Sequence, residues 1–203
     1  CGYVAEPTVI KEKEIDGVML MMAFAGNETK RNATSHGLWA LIEHPDQFDL
    51  LKSDTEGMID TAVDEIVRFA SPVLHFRRTA TQDTEINGQK INAGDKVVMW
   101  HVSANRDDSE FENPFSLDIR RSPNNHVGFG GGGPHFCLGA NLARLELKII
   151  FEELCRRMPD VSIDGEPSRL RSNFINGVKH MPISFPQGER VNPEPNFDNM
   201  LKL

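Results

Sequence analysis

The chain has 203 residues, 39% hydrophobic and 26% charged, which fits one soluble globular domain of moderate size. Lys and Arg total 22 against 30 Asp and Glu, a net charge of −8. That balance argues against a nucleic-acid-binding surface, because neutralising phosphates needs clustered cations. The three cysteines, Cys1, Cys137 and Cys155, are widely spaced and form no CxxC pair, so neither a zinc site nor a disulfide framework is indicated and a reducing, cytoplasmic setting is expected.

The sequence opens on Cys1-Gly2-Tyr3 rather than on Met, and a fragment of a longer protein is expected. From residue 15 to about 44 apolar residues recur at helical spacing: Ile15, Val18, Met19 and Met22, then Leu38, Leu41 and Ile42. Gly26-Asn27-Glu28-Thr29 is poor helix material, and a kink or widened turn is expected there. The apolar run at 18–26 falls well short of the ~20 residues that span a bilayer, so no membrane span is expected. Pro45 suits the start of a short helix through residue 51. A third helix is expected over 56–69, ending before Ser71-Pro72.

Residues 73–81, 84–87, 90–91 and 96–100 read as short strands, with turns at Asn87-Gly88 and Ala93-Gly94-Asp95. Residues 107–136, rich in Asn, Pro, Gly, Asp and Ser, form a long loop, and an ordered loop of that length is usually functional. A helix is expected over 138–158, stopped by Pro159. Closing strands are expected at 161–163, 170–175 and 181–185, and a loose tail from Pro186.

The chemistry-bearing stretch is residues 129–139, FGGGGPHFCLG. Glycines allow turns closed to other residues and close approach to a flat partner. They deliver Cys137 to the start of a helix, whose free N–H groups and positive dipole end favour an anion. A lone thiolate in a glycine cradle suits an axial iron ligand. Three alternatives compete. Residues 128–133 also satisfy G-x-G-x-x-G, but no apolar strand precedes them, as a dinucleotide fingerprint requires. Cys137 with His135 could form a nucleophile–base pair, although no third orienting residue is evident. A flexible loop with an inert cysteine is the bland option. Elsewhere, Ala25-Gly26-Asn27-Glu28-Thr29 sets an alcohol beside an acid, a pairing that can relay protons, or else is plain helix surface. Glu65 and Arg68 lie one helical turn apart, ordinarily a surface pair worth ~0.3 kcal/mol. Arg77-Arg78 lies on an expected strand, where a guanidinium fork could bind a carboxylate or simply keep an edge soluble.

The order A-G-x-E-T, E-x-x-R, an Arg strand, an Asn-Pro-rich meander and a glycine-rich Cys loop resembles the cytochrome P-450 (haem-thiolate monooxygenase) superfamily. The resemblance runs from residue 15 to 185 and corresponds to the C-terminal half of such an enzyme. It implies an α+β, mainly α fold: a long central helix, a helix bundle and a small mixed β-sheet. Residues 1–185 would form the partial monooxygenase domain and 186–203 a tail. It implies haem b (iron protoporphyrin IX) as cofactor, with Cys137 its axial thiolate and metal ligand. Phe129 matches the aromatic residue near that sulfur, Gly130 and Gly139 the flanking loop glycines, and His135 and Arg78 the residues that bind haem propionates. Glu28 and Thr29 match the acid–alcohol pair that delivers protons to dioxygen, with Gly26 leaving room for the gas. Glu65 and Arg68 match a buried pair whose third partner would be Arg120. The family's loop is usually one residue shorter between Phe and Cys. The longer form, and the turn around Asn176-Gly177, resemble a bacterial lipid- and steroid-oxidising subgroup.

An apolar lipid, sterol or terpene substrate is therefore expected, with Met21, Met22, Val73, Leu74, Phe76, Phe174 and Ile175 as candidate wall residues. A ferredoxin-type electron donor is expected as partner, since no flavin or iron–sulfur motif is present. The family's N-terminal half, with further propionate contacts and much of its substrate pocket, is absent from the sequence. A Cys–His hydrolase and an inactive truncated fragment without haem remain the rival functions.

Overall fold

In the computed structural model, residues 12–186 are described. The first helix, α1 (Glu12–Glu43), is 32 residues long, about 48 Å at 1.5 Å per residue. The widened turn expected at Gly26 is absent, and α-helix runs unbroken through residues 26–29. Gly26 costs helix propensity, but a continuous hydrogen-bonded helix absorbs one such residue. The two halves of α1 differ. Met19, Leu20, Met21, Met22 and Phe24 are exposed, whereas Ala33, Leu38, Ala40 and Leu41 enter the core.

Pro45 opens α2 (Pro45–Ser53) at a position whose N–H would be unpaired anyway. Asp54 caps α3 (Thr55–Ala70) by accepting the Gly57 N–H at 3.0 Å. Its C-terminus turns on Ser71, whose φ of 40° is left-handed, and Pro72 prevents continuation. The buried stripe of α3 is Ile59, Ala62, Val63, Ile66 and Val67. It packs with α1, α2 and α5 (Ala140–Arg157) around Leu51, Ile119, Leu147 and Phe151. The crossing is close at Gly37, where an added Cβ would lie 2.6 Å from both Ile66 Cγ2 and Phe151 Cζ. Glycine is what lets α1 lie this close to α3 and α5.

Strands β1 (His75–Thr79) and β4 (Lys96–Trp100) pair antiparallel, with Phe76 opposite Met99 and Arg78 opposite Val97. Between them β2 (Thr84–Ile86) and β3 (Gln89–Ile91) make a hairpin turning on Asn87 and Gly88, both at positive φ. A short helix not expected from the sequence, α4 (His101–Ala104), follows β4 directly. Near the C-terminal side, β5 (Ser162–Ile163) pairs with β8 (Ile183–Ser184) and β6 (Ser168–Arg169) with β7 (Val178–His180). The β-structure is thus a set of two-stranded antiparallel ladders rather than a mixed sheet. β2 and β3 meet across a two-residue turn, which permits only antiparallel pairing, whereas β1–β4 and β5–β8 join non-consecutive strands, each enclosing another ladder between them.

The strand expected at 170–175 is mostly loop. There Ser172 Oγ accepts the N–H groups of Phe174 and Ile175, which competes with ladder pairing. Only Ile175 bridges, to Val73. The tail expected from Pro186 falls, apart from Pro186 itself, outside the described residues.

Candidate functional site

The cysteine loop is closed by its own backbone. Gly130 N–H donates to Val127 O at 2.9 Å, Phe136 N–H to Gly133 O at 3.1 Å, and Cys137 N–H to Phe129 O at 2.9 Å. Gly130, Gly132 and Gly133 have φ of 96°, 94° and 73°, a region other residues rarely enter. These turns bring Phe129, Gly130, Cys137 and Gly139 together and leave Cys137 exposed just ahead of α5, whose N-cap is Gly139. Leu138, 95% exposed, and Phe136 flank the sulfur with apolar surface.

The loop is anchored from below by residues the sequence reading passed over. Asn105, fully buried after α4, accepts the Val127 N–H at 2.8 Å through Oδ1 and donates from Nδ2 to Ser71 Oγ at 2.9 Å. Phe129 packs against the core cluster with the Arg144 guanidinium 4.5 Å from its ring centroid. Arg144 Nε donates to Asp64 Oδ1 at 2.7 Å, and His126 Nε2 lies 3.3 Å from the same oxygen. Burial opposes ionisation of Asp64. The hydrogen bonds from His126 and Arg144 outweigh it and hold this carboxyl below its ordinary range. A feature of the sequence could have flagged these groups: Asp64 directly precedes Glu65, and Arg144 stands seven residues after Cys137, in the second turn of α5.

Glu65 and Arg68 form a fully buried pair, with Arg68 Nε and Nη2 donating to the two carboxylate oxygens at 2.7 Å each. Arg68 also donates to the carbonyls of Asn105 (2.7 Å), Pro114 (2.8 Å) and Ser116 (3.0 Å), tying the meander to α3. The third member is Arg121 rather than Arg120. Arg121 Nε donates to Glu65 Oε2 at 3.1 Å, whereas Arg120 is 61% exposed in its side chain and pairs with Asp118. The reason is a turn: Arg121 N–H bonds to Asp118 O, while Asp118 N–H bonds to Glu65 Oε1, so residue 121 swings back over the carboxylate. Asn124 Nδ2 completes the shell at 3.1 Å.

On α1, Thr29 Oγ1 donates to Ala25 O at 2.7 Å and Glu28 pairs with Arg31 at 2.8 Å. Gly26, Met22 and Asn27 line a groove of about 660 Å³ between α1 and α5, faced by Leu142, Glu146 and Ile150. The Lys30–Glu146 ion pair bridges it. Arg78 is exposed on β1, and its guanidinium donates to the Arg77 carbonyl. Among the described residues Arg78 has no acidic partner, and no hydrogen bond joins His135 to Cys137, so a nucleophile–base pair is not assembled.

Five of the seven candidate wall residues converge. Leu74 N–H bonds to Phe174 O at 2.9 Å, Val73 bridges Ile175, and the Phe76 and Phe174 rings meet edge-on at 5.9 Å. Met21 and Met22 remain exposed on α1. His75 and His101 extend the aromatic cluster, each with a buried Nδ1 lacking a partner among the described residues. Burial, then the nearby charges of His75 and Arg78, keep His101 below the ordinary histidine range.

A profile of the family described as Cytochrome P450 matches residues 5–159. The methyl-branched lipid omega-hydroxylase of Mycobacterium tuberculosis is 53% identical over 176 residues, covering 87% of this chain and 41% of that protein. The steroid C26-monooxygenase of Rhodococcus jostii is 48% identical over 188 residues, covering 88% and 39%. Among solved structures, a Mycobacterium marinum cytochrome P450 in complex with pseudoionone superposes with a TM-score of 0.85 at 46% identity, covering 89% of this chain and 44% of that one. The chain therefore spans about two fifths of the length of the curated relatives it matches. With the profile match, the relatives and the superposition in agreement with an exposed cysteine carried on a glycine loop, the chain belongs to the cytochrome P450 family.

Proposed function

We propose that this chain is the cysteine-bearing part of a haem-dependent monooxygenase that hydroxylates an apolar lipid, sterol or terpene, taking electrons from a ferredoxin-type donor. The observation that carries the proposal is the exposed thiol of Cys137, fixed by the Cys137–Phe129 backbone bond at the mouth of α5. The residues present fit haem b. One soft sulfur ligand is offered, and added Cβ atoms at Gly131, Gly132, Gly133 and Gly139 would meet nothing within 4 Å, so a flat macrocycle can approach. Arg78, free of any described acidic partner, suits a propionate. No cluster of three or more His, Cys, Asp or Glu among the described residues could hold a metal ion, so an iron at Cys137 would draw its other ligands from a macrocycle.

Bound haem would supply activation of dioxygen; the protein supplies ligand, orientation and proton supply. Cys137 would hold the iron, and Phe129 with Gly130 and Gly139 shapes the loop around the sulfur. Arg78 and His135 would pair with the propionates. Thr29 donates its hydroxyl hydrogen bond to Ala25 O, so its oxygen keeps lone pairs able to accept one. Glu28, part exposed and paired with Arg31, can exchange protons with solvent and pass them towards Thr29. Gly26 leaves the adjacent helix face open. The names of the relatives, a branched-lipid hydroxylase and a steroid monooxygenase, favour an apolar substrate, and the Phe76–Phe174–Ile175 cluster offers an apolar wall. Residues 1–185 would belong to the catalytic domain and 186–203 to a tail. No described helix is long and apolar enough to cross a membrane, and a cytoplasmic location is proposed.

The test is reconstitution of the full-length protein with haem and a reduced carbon monoxide difference spectrum. The wild type is expected to give the thiolate-type band and Cys137→Ala to lose it. A thiolate band that survives Cys137→Ala would overturn the assignment.

A further inference from the structure

Asp64, His126 and Arg144 make a cluster that nothing in the proposed chemistry requires, yet it is built around the loop that carries the sulfur. His126 Nδ1 accepts the Gly128 N–H at 3.1 Å, so the ring proton sits on Nε2 and points to Asp64 Oδ1 at 3.3 Å. That oxygen also takes the Arg144 Nε–H at 2.7 Å, which sets the guanidinium 4.5 Å from the centre of the Phe129 ring, within cation–π range. The His126 ring lies 5.8 Å from the Phe129 ring, and its side chain is almost wholly buried. Phe129 is in turn bonded through its carbonyl to the Cys137 N–H. A closed circuit results: Cys137 leads into α5, α5 carries Arg144, Arg144 grips Phe129, and Phe129 returns to Cys137. Asp64 fastens this circuit to α3, next to the buried Glu65.

We propose that Arg144, held by Asp64, is a positioning residue for the cysteine loop: the ion pair fixes the Phe129 ring and sets the local charge felt at the Cys137 sulfur. Two consequences separate this role from plain structural support. Arg144→Met leaves the Asp64 carboxylate uncompensated and makes the surroundings of the sulfur more negative. Asp64→Asn leaves the guanidinium uncompensated and makes them more positive. The two charges lie 2.7 Å apart, both about one-third exposed, so the effects are modest and opposite in sign.

The inference rests on the haem-thiolate reading, and the experiment separates the two. In full-length protein loaded with haem, the reduction potential is measured for the wild type, Arg144→Met, Asp64→Asn and the double variant. Arg144→Met is expected to disfavour reduction by about threefold, which for a one-electron couple is about 30 mV. Asp64→Asn is expected to favour it by a similar factor, and the double variant to return close to the wild type. Both single variants shifting in the same direction, or neither shifting, would overturn the electrostatic role. In the same protein prepared without haem, amide hydrogen exchange at Cys137 is expected to quicken about tenfold in Arg144→Met, because the Phe129 carbonyl it bonds is no longer held. Unchanged exchange would overturn the clamp. A wild type that takes up no haem would refute the oxygenase reading, and the exchange measurement alone would then decide the clamp.

Discussion

Replacing Arg68 with Met removes the centre of the buried network that joins α3 to the meander. Arg68 is fully buried and makes five hydrogen bonds, two to Glu65 and one each to the carbonyls of Asn105, Pro114 and Ser116. Met fills a similar volume, so the loss is electrostatic rather than a cavity. Breaking a buried ion pair by removing one partner costs about 3–5 kcal/mol, because the surviving charge stays out of water. Arg121, still 3.1 Å from Glu65, offsets part of that and pulls the figure towards its lower end. The buried carbonyls of Asn105 and Pro114, left without this donor, push it back up by about 1 kcal/mol each where water cannot replace the guanidinium, whereas Ser116 is exposed and its carbonyl keeps Arg121 Nη2 at 3.4 Å. The expected loss is therefore about 3–5 kcal/mol, a large fraction of the ~5–15 kcal/mol that holds an ordinary domain together. With urea m-values of about 2–3 kcal/mol/M for a chain of this size, the unfolding midpoint should fall by about 1–2 M. The assay is equilibrium urea unfolding of the full-length protein followed by circular dichroism, with two controls. Arg121→Met should fall between wild type and Arg68→Met. Arg120→Met, exposed and bonded only to Asp118, should stay within about 0.5 kcal/mol of wild type. Equal effects at residues 68 and 120 would refute the account of which arginines the fold uses.

Other expectations follow from the same contacts. Gly37→Ala should cost about 1–3 kcal/mol by forcing a methyl to within 2.6 Å of Ile66 and Phe151, read as a lowered unfolding midpoint; a neutral result would mean that α1 can slide away from α3. His36 is held down to about 4 from an ordinary 6.5 by burial, then by the Arg169 charge. The unfolded chain therefore binds a proton more readily than the native one between those values. Its contribution is complete above pH 6.5 and is lost as pH falls towards 4, by up to about 3 kcal/mol. His36→Gln should flatten the stability–pH slope in that window, and an unchanged slope would discard this source. Thr29→Ala should keep haem binding but uncouple electron use from product, and unaltered coupling would remove Thr29 from the proton path.

Most of the helices were legible because their signals are local. Pro45 at a helix start, Ser71-Pro72 at a helix end and the apolar spacing in α3 and α5 act within a turn or two, and the structure has helices there. The glycine run before Cys137 was equally legible, since positive φ at Gly130, Gly132 and Gly133 is a property of residue type. Local reasoning misled where neighbours compete. Gly26-Asn27-Glu28-Thr29 resembles a break, yet α1 continues through it. Residues 170–175 resemble a strand, yet Ser172 captures the backbone donors that a ladder would need.

The order of motifs along the chain was enough by itself to place it in the family and to single out Cys137, because spacing and residue type survive without coordinates. Which groups touch across the chain was not in the sequence. Arg121 rather than Arg120 meets Glu65 because a turn at Asp118 folds the backbone over, and Asp64 meets Arg144 because α3 and α5 pack side by side. Such choices depend on directions and distances between residues 50 to 80 positions apart, which only the packing of the helices sets.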